Sequence, residues 1–303
     1  FLSGNFKNPD IRTNPGGFTG TFAYYRLFDA LYKKATAWEM LYKKTMRSQD
    51  LQSAFGTYQS TISLLTYIER SYEMDDAKIL LQQKSEKLYK RALQVALDLN
   101  QLFPNGHYLE DAFLISERNK ASVMASNLRE QNFHFSSDKE ADLIGQERNI
   151  KFNIARLSIK ADQKNDPGIS EDINTEKSVY ETQLAEVQKK MEKNNRYYQL
   201  KYQEDYPSVT TIQNSLKNNQ AVISLSNTAD ALQVFVITRS DFRHLRLDSG
   251  ESIRKNVRDW IQILQSSENG KHPNTGNLEQ TLYRQLIRPL EEVAGNKEDW
   301  IMV

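Results

Sequence analysis

The chain has 303 residues, 39% of them hydrophobic and 26% charged, which is enough apolar side chain for two buried cores and too much for a disordered tail. Lys and Arg number 40 against 39 Asp and Glu, a formal net charge of +1, so no overall field draws in nucleic acid or an acidic membrane and recognition has to be local. There is no cysteine, which excludes disulfides, thiolate zinc sites and a thiol nucleophile within the chain.

The cysteine-free composition fits a reducing, cytoplasmic compartment. No apolar run approaches the roughly 20 residues needed to cross a bilayer, and the opening "FLSGNFKNPD" lacks a basic segment followed by an apolar core. Residues 1–20, rich in Pro, Gly and Asn, read as a loop or frayed terminus. Gly16 and Gly17 invite a phosphate-loop reading, but no Gly-Lys-Ser/Thr follows.

From 21 to 206 the periodicity is helical, with Pro and Gly confined to punctuation at Pro104-Asn105-Gly106 and Pro167-Gly168. The spacing predicts helices over 21–46, 48–73, 75–102, 107–131, 138–164 and 170–203. Asp75 and Ser136 or Ser137 are available to cap orphan amides, and Glu171 and Asp172 follow Ser170 in a first turn, where the helix dipole favours acids. Ala92, Ala96 and Leu99 followed by Pro104 have the offsets of the second helix of a tetratricopeptide repeat, where small residues let two helices approach and Pro ends the unit. Ala54, Tyr58 and Thr61 echo them 38 residues earlier, a longer spacing than the usual period of about 34.

After Pro207 the texture changes. "AVISLS" (221–226), "LQVFVIT" (232–238) and "FRHLRL" (242–247) are short, β-branched or alternating runs separated by turn residues, which is strand, turn, strand, turn, strand. Two amphipathic helices are expected over 250–266 and 275–294, then a terminal strand "WIMV". The expected fold is therefore mainly α: tetratricopeptide-like antiparallel repeats over 21–206, followed by a partial α/β domain over 207–303. The apolar last strand calls for a pairing partner, and the chain lacks an initiating Met, so a fragment of a longer protein is expected.

The segments "DLQSAFGTYQSTISLLTYIERSY", "EKLYKRALQVALDLNQLF", "YLEDAFLISERNKASVM" and "RYYQLKYQEDYPSVTTIQNSL" occur in the order seen in CHAT-domain proteins with N-terminal tetratricopeptide repeats, and the chain resembles that family. The pattern Ala-Phe-x-x-x-Glu-Arg-x-Lys-Ala of its last helical repeat is matched by Ala112, Phe113, Glu117, Arg118, Lys120 and Ala121. "AVISLS", "LQVFVITRSDFRHLRLD" and "LYRQLIRPLEE" are similar to the start of the CHAT domain, so the likeness covers nearly the whole chain. The resemblance implies a caspase- and separase-like fold and, in active members, a cysteine peptidase using His and Cys. Both groups would lie beyond the strand with which this sequence ends.

Candidate chemistry is sparse. His107, His134, His244 and His272 have no Cys, nor a Ser in a recognisable nucleophile elbow, to serve, and they lack metal-ligand spacing. Alternation puts His244 with Phe242 and Arg246 on one strand face, on a wetter side or at a domain seam. Carboxylate pairs such as Glu291 with Glu292 and Asp75 with Asp76 are sequence neighbours that point apart. Glu117, Arg118 and Lys120 fall on the flank of a helix whose apolar side holds Leu109, Phe113, Ala121, Met124 and Leu128. They read as a polar network clamping the repeat to its neighbour, with a partner contact and plain solvation as the other readings. Tyr24, Tyr25, Phe28, Tyr32, Trp38, Tyr42, Tyr58, Tyr67 and Tyr72 serve either helix packing or a peptide-gripping groove. Lys189, Lys190, Lys193 and Arg196, interleaved with Glu186 and Glu192, read as a solvated helix face rather than an RNA contact.

These readings converge on a repeat scaffold that binds a protein or peptide in its helical groove, joined to the regulatory first part of a CHAT-family peptidase and itself lacking the catalytic His and Cys. The alternative is a non-enzymatic adaptor with a structural CHAT-like portion. No cofactor or metal is implied, and the partners expected are a protein or peptide and the rest of the CHAT domain, not nucleic acid or membrane.

Overall fold

The computed structural model describes residues 8, 10–16, 18, 24–71, 75–120, 138–163, 167–192, 206–228, 231–248, 250–266 and 277–303. The protein is mainly helical with a four-stranded mixed sheet, and it divides into two compact units. One comprises residues 1–105 and 117–205, the other residues 106–116 and 206–303.

In the helical unit, α1 (Tyr24–Thr45) and α2 (Ser48–Ser71) form a hairpin, and α3 (Asp75–Leu102) packs on α2. The hairpin turn is tight. Met46 takes a left-handed φ of 54°, its amide donating to the Tyr42 carbonyl at 2.7 Å, while Asp50 in the first turn of α2 accepts from Thr45 Oγ1 at 2.7 Å and from Arg47 Nε at 3.2 Å. The seams are lined by small residues: Ala35, Ala54, Ala92 and Ala96 have no exposed surface, nor do Tyr58, Thr61 and Leu99. Every position singled out by the 38-residue spacing is thus in the core, where an alanine lets two helix backbones approach and Tyr58 or Leu99 fills the space beside it.

A second hairpin follows α4 (Tyr108–Lys120), whose C-terminal residues from Glu117 belong to this unit. It pairs α5 (Asp138–Gln163) with α6 (Pro167–Glu192) around Ile144, Val187 and Met191, flanked by Leu143 and Ile150. Within it Lys151 Nζ and Glu147 Oε1 form a fully buried pair at 2.6 Å, with Glu181 also buried. The expected start of α6 at residue 170 is corrected to Pro167, because a proline in the first helical turn lacks only an amide that has no partner there anyway. The expected helical stretches 121–131 and 193–203 lie outside the described residues, as do Tyr72, Ser136, Ser137, His134, His272, Lys193 and Arg196.

The other unit begins with the residues that open α4, the Asp111 amide donating to the His107 carbonyl at 3.0 Å. Sequence placed this helix wholly among the repeats, yet Gly106–Ser116 group with the sheet. The reason is aromatic: buried Phe113 stands edge-on to Phe235 at 5.7 Å and to Phe242 at 5.9 Å between ring centres. After α7 (Val209–Ser215), capped by Ser208 Oγ accepting from the Thr211 amide at 3.1 Å, come β1 (Gln220–Asn227), β2 (Ala231–Thr238) and β3 (Phe242–Asp248). These strands match the expected ones to within a residue.

The sheet order is β3-β2-β1-β4, with antiparallel hairpins joining β1, β2 and β3, and β4 (Asp299–Met302) parallel to β1. Register puts Ile223, Val236, Val234, Leu245 and Leu247 on one face, where Ile253 and Val257 of α8 (Gly250–Ser266) and Leu290 and Ala294 of α10 (Arg288–Ala294) cover them. The opposite face carries Ser224, Ser226, Gln233, Phe235, Phe242 and His244. β2 is buried along its whole length because both faces are covered. A Cβ on Gly250 would come within 2.8 Å of the Leu232 amide nitrogen, so α8 can start against β2 only from a glycine.

The second expected helix is one continuous rod with a change of pitch. α9 (Leu278–Leu282) runs through a π turn, Tyr283–Ile287, into α10, and the Arg288 amide donates to the carbonyl of Tyr283 five residues back. Pro289 has no amide to offer Gln285 and its ring crowds that carbonyl, which widens the turn. No helix among the described residues is long and apolar enough to cross a membrane.

Candidate functional site

Of the sites expected from sequence, the Glu117, Arg118 and Lys120 block is folded as α4 residues, all half-buried. Lys120 Nζ donates to Glu117 Oε1 at 2.8 Å, one turn apart, each side chain keeping about a fifth of its surface. A pair of that kind contributes about 0.5 kcal/mol.

A more connected polar cluster ties three helices together. Glu39 of α1 accepts from Tyr58 Oη of α2 at 2.9 Å and from Arg91 Nε of α3 at 3.0 Å, and its other oxygen meets Lys43 Nζ at 3.1 Å. Burial alone would raise the Glu39 carboxyl, but the hydrogen bonds from Arg91, Tyr58 and Lys43 outweigh it and hold the group below its ordinary value. Burial, followed by the Glu39 charge, pushes the Tyr58 phenol up. Tyr58 stood among the aromatic packing candidates, and Glu39 and Arg91 carried no motif. Their sequence separations of 19 and 52 residues leave no local signal for the cluster.

The same hairpin holds the segment before it. Residues 10–16 have no regular secondary structure after a turn closed by the Thr13 amide donating to the Asp10 carbonyl at 3.0 Å, yet they are not frayed. Lys34 Nζ donates to the Thr13 carbonyl and to Asn14 Oδ1, both at 2.8 Å. Thr57 Oγ1 reaches Asn14 Oδ1 at 3.3 Å, and Ser60 Oγ donates to the Pro15 carbonyl at 2.7 Å. The Arg12 guanidinium stands 5.5 Å from the centre of the Trp38 ring, and Pro15 and Phe18 are buried. Burial lowers the Lys34 ammonium, against the pull of Asp10. Trp38 thus faces the Arg12 cation, whereas Phe28 stacks flat on Tyr32 at 6.4 Å and Tyr67 is buried.

In the sheet unit His244 lies half-buried on the strand face its alternation implied, with exposed Arg246 on the same face. Its Nε2 donates to Gln233 Oε1 at 2.8 Å, Gln233 Nε2 donates to Thr228 Oγ1 at 3.0 Å, and Thr228 Oγ1 donates to the Ala231 carbonyl at 3.1 Å. The imidazole lies 5.3 Å from the Phe235 ring. Burial, helped by the charge of Arg246, lowers its pKa to about 4, so the ring is neutral at physiological pH. His244, Gln233 and Thr228 form a hydrogen-bonded chain within the sheet.

Lys189, Lys190 and Glu186 are exposed on α6. Among the described residues no three His, Asp or Glu side chains gather to hold a metal ion. The arrangement sets helix side chains against main-chain carbonyls and a cation against an aromatic ring. Comparison with known proteins returns no matching family model, no matching curated protein and no matching solved structure.

Proposed function

We propose that the helical unit is a tetratricopeptide-like scaffold that binds a protein or peptide, and that the α/β unit is the first part of a CHAT-family, caspase-like domain which the scaffold regulates. The observation that carries the binding reading is the grip of Lys34, Thr57 and Ser60 on a stretch of non-helical chain. The repeat reading is supported by the fully buried Ala54, Ala92 and Ala96 at the helix seams. The CHAT reading is supported by the sequence resemblance and by a mixed sheet with a parallel pair beside an antiparallel hairpin. With no cysteine present, thiol chemistry is not this chain's own.

Panning the purified chain against a random peptide library tests both halves. The expected result is saturable ligands that slow backbone hydrogen exchange within residues 24–102. A folded chain that retains no peptide at about 100 μM would sink the binding reading, and peptide cleavage that persists through repurification would sink the non-catalytic one.

A further inference from the structure

Ser60 behaves unlike Ser53, Thr57, Thr61 and Thr66 of its helix. Those four all turn back to bond the carbonyl four residues earlier, the usual resting place for a hydroxyl inside a helix. Ser60 instead donates outward to the Pro15 carbonyl. Lys34 likewise directs its ammonium at Thr13 and Asn14. Two of these contacts end on main-chain carbonyls, which any peptide supplies. The others read side chains: the Asn14 oxygen accepts from Lys34, with Thr57 Oγ1 3.3 Å away and its own amide over Gly56, and the Arg12 cation faces Trp38. Pro15 presents a carbonyl with no amide of its own to satisfy and biases Asn14 towards extended backbone.

We propose that the face of α1 and α2 formed by Lys34, Trp38, Thr57 and Ser60 is a peptide-reading groove, that residues 10–16 are its resident ligand, and that a partner protein's Arg-x-Asn-Pro segment replaces them. This rests on the peptide-binding reading of the helical unit and names its site and ligand chemistry. The resident is held shallowly. Pro15 is buried, as is Phe18 beyond it, while Ile11 is 67% exposed and Arg12 and Gly16 lie at the surface. Hydrogen bonds at such a position open at small cost. A tethered segment enjoys an effective concentration on the order of millimolar, so the intact chain takes a free ligand weakly and a chain with a loosened resident takes it well.

The test uses the full chain and a labelled peptide, NPDIRTNPGGF, followed by fluorescence anisotropy. The R12A/N14A chain should bind it about tenfold more tightly than the unaltered chain, the peptide with alanine at its Arg and Asn should bind about tenfold more weakly, and adding K34A/S60A should abolish binding. In the unaltered chain, excess peptide should speed hydrogen exchange of residues 10–16 severalfold, a readout that needs no variant to fold. No binding by an R12A/N14A chain of unchanged helix content, equal binding of both peptides, unchanged exchange at excess peptide, or self-association in sedimentation in place of peptide binding would each overturn the proposal. Should library panning yield ligands while NPDIRTNPGGF fails, only the groove assignment falls. If both fail, the binding reading falls with it.

Discussion

Removing the Glu39 carboxylate takes one partner each from the buried Tyr58 hydroxyl, which keeps its contact with Thr36, and from the Arg91 guanidinium, which keeps Tyr32. Glu39→Ala should therefore cost about 1.5–3 kcal/mol in urea unfolding, the range for lost hydrogen bonds to a charged group. Tyr58→Phe, which leaves Glu39 its two cations, should cost about 1 kcal/mol. Lys43→Ala, at a side chain 68% exposed, should cost under about 0.5 kcal/mol. A Glu39→Ala chain as stable as the unaltered one would show that the three-helix clamp is not cohesive. His244 sets a pH dependence of opposite origin. Its folded pKa of about 4 lies below the unfolded value of about 6.5. The unfolded chain therefore binds the proton first, and the contribution of the neutral ring is complete above about pH 6.5 and lost as pH falls towards 4. The loss is of order 2–3 kcal/mol. Comparing unfolding of the unaltered and His244→Phe chains from pH 7 to 4 isolates it, and parallel curves would contradict the assignment.

At the scale of the element, the α1–α2 turn stores strain at a left-handed position that glycine usually fills. Met46 sits at φ 54° and is 70% exposed, so it contributes no packing to offset the crowding of a Cβ in a left-handed turn. Met46→Gly should raise stability by about 0.5–1 kcal/mol, seen as a higher midpoint in thermal unfolding, and a lower midpoint would mean the turn is held by something other than its backbone. The turn after α10, at φ 64°, already has the glycine it requires in Gly295. Helix 278–294 shows the converse case, for one proline converts a uniform α pattern into an α-π-α rod without ending it.

At the scale of the whole molecule, each unit has its own buried set, alanine seams around Tyr58 in one and a two-faced β2 in the other. Two such cores need not unfold in one step. The tryptophans distinguish them, since Trp38 belongs to the helical unit and Trp260 and Trp300 to the sheet unit. Urea unfolding of a chain carrying Trp38→Phe should report the sheet unit, and one carrying Trp260→Phe and Trp300→Phe the helical unit, with midpoints that differ. Coincident midpoints in both would show a single cooperative transition.

Local pattern determined most of the secondary structure. Helical periodicity bounded α1 to α3 closely, two-residue alternation bounded β1 to β3 to within a residue, and the 38-residue echo marked residues that are fully buried, because burial on one face imposes a period that a sequence displays. Tertiary structure alone decided the rest. That α4 opens against the sheet depends on Phe113 meeting rings more than 100 residues away, that residues 10–16 are held depends on Lys34 and Ser60 of two different helices, and that Glu39 is the hub depends on Tyr58 and Arg91 converging on it. Periodicity records which face of an element is dry. It carries no record of which distant polar group will be waiting there, since a hydrogen bond is specified by two atoms in space and not by any spacing along the chain.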